Sequence, residues 1–161
     1  LSAGAVYHYF ESKHDIIAAS FNFDYERSLG MFEAARESDD PLGALIDSLD
    51  FLFYGLREAA QLGASRVNVQ GWGEALVNPS LLETIRRVMD VYRDVTTQIL
   101  HRAQAMGQID REGDPAGLAN LLVSLYYGLE LQLALAPNVD VDKYAAAVSA
   151  LLGRKVGAKT R

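Results

Sequence analysis

Three times the chain repeats one device: Asp40-Pro41, Asn78-Pro79 and Asp114-Pro115. An Asp or Asn side chain caps a helix by accepting from a free backbone N–H, and a Pro directly after it sits where a missing N–H costs nothing. Each pair therefore predicts a helix start, and each is followed by apolar residues at spacings of three and four. After Pro41, the residues Leu42, Leu45, Ile46, Leu49, Leu52, Phe53 and Leu56 fall on one stripe. Phe51 and Tyr54 lie off it, so this helix is apolar on more than one side and reads as central. After Pro79, one seam runs through Leu81, Ile85, Val88, Tyr92, Val95, Ile99 and Met106, and a second through Leu82, Met89, Thr96, Leu100 and Ala103. Gly107 ends this longest helix as a left-handed C-terminal residue. Pro115 opens a Leu-rich helix to about Ala136. Asp140 caps a last one, Val141 to Leu152, and Gly153 stops it.

Upstream, residues 1–10 read as a short helix and Ser12 as the cap of the next, with Asp15 three residues on completing an S-x-x-D capping box. That second helix runs to about Ser38 with Ile17, Phe21, Tyr25, Ser28, Phe32 and Ala35 along one face, and Gly30 weakens its last turns. Gln61 to Val77 is the least regular stretch. Gly63, Gly71 and Gly73 interrupt its periodicity, which fits one short helix or two. Arg154 to Arg161 reads as a frayed basic tail. No strand or repeat is evident, and the fold expected is an all-α bundle. At 161 residues the chain can bury a sizeable core. It has no unbroken apolar run of membrane-spanning length and no Cys, which excludes disulfides and thiolate metal sites. A cytoplasmic protein is the simplest expectation. The net charge of −6 argues against nucleic-acid binding over the whole surface, but not against a small basic reader on an acidic body.

The first seventeen residues carry a more specific pattern. Leu1, Ser2, Gly4, Val6, Tyr7, Tyr9, Phe10, Ser12, Lys13 and Ile16 resemble the recognition helix and following turn of the tetracycline-repressor (TetR) family of transcriptional regulators. Leu1 replaces the usual Val, and His14 stands where an acid is common. The segments Ala105-Met106-Gly107-Gln108-Ile109 and Asp114-Pro115-Ala116-Gly117-Leu118-Ala119 are also similar to that family, and Tyr127-Gly128-Leu129 stands where it often has D-G-L. The resemblance implies a TetR-like helical bundle with a partial N-terminal helix-turn-helix. Residues 1–12 would be the remnant of the DNA-binding domain, its first two helices lacking, and 13–161 the ligand-binding and dimerisation domain.

The resemblance also assigns roles. Tyr7, Tyr9 and Lys13 would touch the DNA backbone, while Ser2, Ala3 and Ala5 lie toward the base edges. Lys13 at the positive end of a helix dipole fits a nearby phosphate. Val6 and Phe10 read as core of the small helical unit. The aromatic residues Phe21, Tyr25, Phe51, Tyr54, Trp72 and Tyr92 either line a ligand pocket or simply fill the core, with Asn68, Gln70, His101 and Gln104 as polar options. Glu130 and Gln132 face solvent, a dimer partner or the pocket, with solvent as the default. A homodimer is expected through the last two helices, using Leu121, Leu125, Tyr127, Leu129, Leu133, Tyr144, Val148, Leu151 and Leu152.

His8, His14 and His101 are scattered without metal-ligand spacing, and no nucleophile elbow or phosphate-cradling glycine loop occurs. No enzyme, metal or cofactor is therefore expected. The reading is a ligand-responsive DNA-binding regulator, a repressor released from its operator by a small apolar or aromatic molecule. The alternative is a helical dimer that binds a small molecule or protein without reading DNA.

Overall fold

The computed structural model describes residues 12–136 and 138–153, without the side chains at positions 13, 20–25 and 27. The described residues form six helices and no strand: α1 (Lys13–Glu37), α2 (Pro41–Gln61), α3 (Ala64–Ala75), α4 (Pro79–Ala105), α5 (Pro115–Leu135) and α6 (Val141–Leu151). Each Asp/Asn-Pro pair starts a helix. Asp40 Oδ1 accepts from the Gly43 N–H at 3.0 Å, Asn78 Oδ1 from Leu81 at 3.1 Å and Asp114 Oδ1 from Ala116 at 3.0 Å. Asp140 caps α6 through the Lys143 N–H at 3.1 Å. Ser12 caps α1, accepting from the Asp15 N–H at 3.2 Å, while its hydroxyl donates to the Asp15 carboxylate at 2.9 Å.

The stretch expected to be irregular is one helix, α3, which runs through both Gly71 and Gly73. Its break lies before it, at Gly63, where φ is +78°. Only glycine adopts that left-handed geometry without a Cβ penalty, so Gly63 turns the chain between α2 and α3. Gly30 leaves α1 unbroken. Met106, placed in the α4 seam by periodicity, is half exposed, because the helix ends one residue earlier.

α2 is central, packing against each of the other described helices. The main core joins Phe32 and Ala35 of α1, Leu42, Leu45, Leu49, Phe53 and Leu56 of α2, Val95, Ile99, Leu100 and Ala103 of α4, and Ala119, Leu122, Leu129 and Leu133 of α5. Val141, Ala145, Val148 and Leu152 extend it beneath α6. A smaller cluster of Ile17, Ala75, Leu81 and Ile85 sits at the N-terminal end of α1. One helix of 25 residues, about 37 Å long at 1.5 Å per residue, therefore reaches both.

Side-chain amides tie the connections. Gln104 Nε2 lies within 3.1 Å of the carbonyl oxygens of Asp110, Arg111 and Gly113, bracing the turn between α4 and α5. Gln108 docks that turn on α2, donating to Asp40 Oδ1 at 2.8 Å and accepting from the Leu42 N–H at 3.1 Å.

α5 is long and apolar enough, by length and composition, to cross a membrane, yet it is a bundle helix with a third of its most apolar stretch buried. Its inner row is Ala119, Leu122, Leu129 and Leu133. Its opposite face carries Gly117, Leu121, Ser124, Gly128, Leu131 and Leu135 at alternating spacings of four and three. Leu121 is 51%, Leu131 41% and Leu135 76% exposed.

Candidate functional site

Five helices frame a cavity of about 260 Å³. α1 supplies Ser28, α2 supplies Leu52, Gly55, Leu56, Glu58 and Ala59, α3 supplies Ala64 and Asn68, and Tyr92 and Tyr126 come from α4 and α5. Glu58 and Leu62 are exposed, so the cavity opens at the α2–α3 turn, beside Gly63. Behind it lies a void of only about 20 Å³, lined by Phe32, Leu49, Thr96, Leu122, Val123 and Tyr127 and sharing Leu52, Tyr92 and Tyr126 with the outer space. The inner void has room for one water at most.

Two hydrogen bonds organise the walls. The Ser28 hydroxyl bonds the Tyr92 hydroxyl, tying α1 to α4, and the Tyr92 ring meets Phe32 edge-on at 5.6 Å. Asn68 Nδ2 donates to Glu130 Oε1 at 2.8 Å, tying α3 to α5. Glu130 is 2% exposed, contrary to its expected place in solvent, whereas Gln132 is exposed. Position 130 lies off the inner leucine row of α5 but faces α3, and a polar residue on a flank covered by a neighbouring helix is not told from a solvated one by periodicity.

An aromatic chain continues inward. Tyr126 meets Tyr127 at 5.2 Å and Tyr127 meets Trp72 at 4.9 Å, both edge-on. Burial, reinforced by the nearby Tyr92 and Glu130, holds the Tyr127 phenol well above its ordinary pKa. Trp72 Nε1 is a buried donor without a partner among the described residues, as is the Ser65 hydroxyl on the same α3 face.

The expected pocket residues therefore divide. Tyr92 lines the cavity, and Trp72 stands behind it against Tyr127. Phe51 does not: it is 45% exposed, because it lies on the outer side of α2, and its neighbour Leu52 takes the inward place. Tyr54 turns to α6 instead, where burial and a hydrogen bond to Asp142 raise its pKa and Arg57 lies 4.8 Å from its ring centre. The side chains of Phe21 and Tyr25 lie outside the described residues. Of the polar options, Asn68 lines the cavity, Gln70 and His101 are exposed and Gln104 braces the α4–α5 turn. Sequence reasoning missed Ser28, Gly55, Ala59 and Tyr126 as wall residues. Ser28, a polar residue in an apolar row of α1, was the one signal available.

The dimer residues divide too. Leu129, Leu133, Val148 and Leu152 are buried in the chain's own core, which corrects their expected place in an interface. Tyr127 is turned to Trp72, and Tyr144 donates to the Leu125 carbonyl at 2.7 Å and packs edge-on against Phe53. Leu125 is half-buried, and Leu121 and Leu151 remain exposed. Apolar residues on every side of α5 left the sequence unable to separate inner from outer rows.

Of the DNA candidates, Ser2, Ala3, Ala5, Tyr7, Tyr9 and the Lys13 side chain lie outside the described residues. Directly after Lys13, His14 Nε2 meets Glu74 at 3.4 Å, joining the first turn of α1 to α3. The position where the TetR pattern favours an acid thus carries a base that faces an acid across the helix contact.

Residues 51–157 match the family of the BetI-type transcriptional repressor C-terminal domain. The chain is 25% identical over 153 residues to the HTH-type transcriptional regulator UidR of Escherichia coli strain K12, covering 95% of this chain and 76% of that protein. The same values hold for UidR of Shigella flexneri. A solved structure of Salmonella enterica GusR superposes with a TM-score of 0.65 at 25% identity, over 96% of this chain and 80% of that one. The chain belongs to the TetR family of ligand-responsive transcriptional regulators.

Proposed function

We propose that the protein is a homodimeric repressor of the cytoplasm that leaves its operator when a small, mostly apolar molecule enters the cavity between Leu52, Asn68, Tyr92 and Tyr126. Residues 1–12 serve as the recognition helix and 13–161 as the sensing and dimerising domain. The observation that carries this reading is the Ser28–Tyr92 hydrogen bond at the cavity wall. It sits on the helix whose first residue is Lys13, so one rigid element joins the sensed space to the DNA reader. α3 provides a second link, with Asn68 at the cavity and Glu74 on His14. A ligand that moves a two-state equilibrium from mostly one side to mostly the other needs on the order of 5 kcal/mol of differential affinity. Burying one ring and forming a few hydrogen bonds in a cavity of this size is of that order.

Dimerisation uses the outer face of α5, where Leu121, Leu131 and Leu135 flank Gly117 and Gly128, together with the exposed Leu151 of α6. Facing copies would form a four-helix contact. This would place two recognition helices about one DNA turn apart.

The test uses the full-length protein, with its operator selected from random DNA. Lys13→Ala should weaken binding about equally across sequences and reduce the salt slope by about 1. Loss confined to one base position contradicts the phosphate role of Lys13. Failure to select any sequence favours the helical binding module that does not read DNA.

A further inference from the structure

We propose that the effector carries a hydrogen-bond-donating head, an amine or hydroxyl, on an apolar ring, and that carboxylic acids are rejected. The inference rests on reading the 260 Å³ cavity as the effector site.

The Ser28 and Tyr92 hydroxyls at the wall engage each other, and the amide and carboxyl groups of the lining, Asn68 and Glu58, are biased toward accepting. Asn68 presents an amide with two donors and one acceptor, and Glu130 decides which end is available. The Glu130 oxygen accepts from Nδ2 at 2.8 Å, which turns the nitrogen side toward α5 and leaves Oδ1 as the amide's acceptor for the cavity. Glu58, exposed at the mouth, is an acceptor as well. No Lys or Arg is among the described residues that line either the cavity or the void behind it. An anionic head would meet the Glu58 carboxyl at the mouth and the Asn68 carbonyl oxygen, with no described cation in the lining to offset them. Like charges in a partly dry space are repelled far more than in bulk water. A donor head on the same ring meets partners instead.

The body of the ligand is set by the remaining lining. Leu52, Leu56 and Tyr126 form an apolar wall, and Leu52, Tyr92 and Tyr126 line both the cavity and the small void. An apolar cavity of about 150 Å³ already accepts benzene. A single ring therefore fits against this wall, with its head toward Asn68 and the mouth.

Three probes that share a phenyl ring and a short linker separate the possibilities: phenethylamine, phenethyl alcohol and phenylacetate. Trp72 is the chain's one tryptophan and touches Tyr127 at the inner void, so its fluorescence reports occupancy, with the melting temperature as an independent readout. The amine and the alcohol should bind about tenfold or more tighter than the acid, the difference one well-placed polar contact makes. Glu58→Gln, at an exposed position, should narrow the gap between amine and acid by about threefold. Asn68→Ala should bring both donor probes toward the affinity of the acid, with circular dichroism reporting that the fold is kept. Ala59→Phe, at a half-exposed wall position, should block all binding. If phenylacetate binds as tightly as the amine and Ala59→Phe abolishes it, the donor-head proposal falls and the effector site stands. If none of the three binds at millimolar concentration, or binding survives Ala59→Phe, the cavity reading itself falls.

Discussion

The double substitution Leu121→Lys with Leu135→Lys tests the dimer face without touching the core. Both side chains stand out from α5, 51% and 76% exposed, so a lysine at either position extends into solvent in a lone protomer. Fully burying a leucine is worth about 1.5–3 kcal/mol, so covering the exposed parts of these two yields roughly 1–2 kcal/mol each. An isologous contact counts every position twice. The substitution therefore removes about 4–8 kcal/mol of association energy, a thousandfold or more in Kd, before the repulsion among four new charges is added. Sedimentation velocity should find the wild type dimeric at micromolar concentration and the variant monomeric with an unchanged helical spectrum. Leu129→Lys makes the contrast: it places a charge at a fully buried position and should unfold the chain. A monomeric wild type, or a double variant that stays dimeric, would refute the assignment of this face.

Leu100→Ala, at a position with no exposure in the centre of the main core, should cost about 2–5 kcal/mol, read as a lower urea midpoint with an unchanged slope. Asn78→Ala removes the cap that the Leu81 N–H uses and should cost about 1 kcal/mol, with thermal melting as the measurement. The Tyr127 phenol is held above its ordinary 10.0 chiefly by burial, so the unfolded chain releases this proton at lower pH than the folded one. Stability from this source is intact below pH 10 and falls as pH rises beyond it. Tyr127→Phe should flatten that alkaline fall, and an identical pH profile in the variant would contradict the burial argument.

Much of this architecture was legible because helix starts are written in local chemistry. Asp40, Asn78, Asp114 and Asp140 cap the helices expected of them, since a cap needs only a side chain and an N–H two or three residues on. The course of α3 was not legible. Gly71 and Gly73 weaken a helix in isolation, but packing against α2, α4 and α5 overrides that preference. The site was harder still. Phe51 and Leu52 are neighbours of similar hydrophobicity, and which one faces inward depends on helix rotation, set by contacts across the bundle. Glu130 illustrates the same limit from the polar side: its partner Asn68 is 62 residues away in sequence.

The braced turn between α4 and α5 bears on the order in which the bundle assembles. These two helices pack more extensively than any other described pair, and they are adjacent along the chain. Closing a short loop costs little entropy, and Gln104 fixes the loop from within the helix that precedes it. We expect this antiparallel hairpin to nucleate folding, with α1 and α2 docking on it afterwards and α6, seated on α2, joining late. Synthesis runs the other way, delivering α1 first. A nascent chain thus carries Phe32 and Ala35 covered only in part, by α2, until α4 emerges, a window in which a chaperone that holds apolar helices would act. Amide exchange should be slowest in the middle of α4 and α5, and faster exchange there than in α6 would reverse the proposed order.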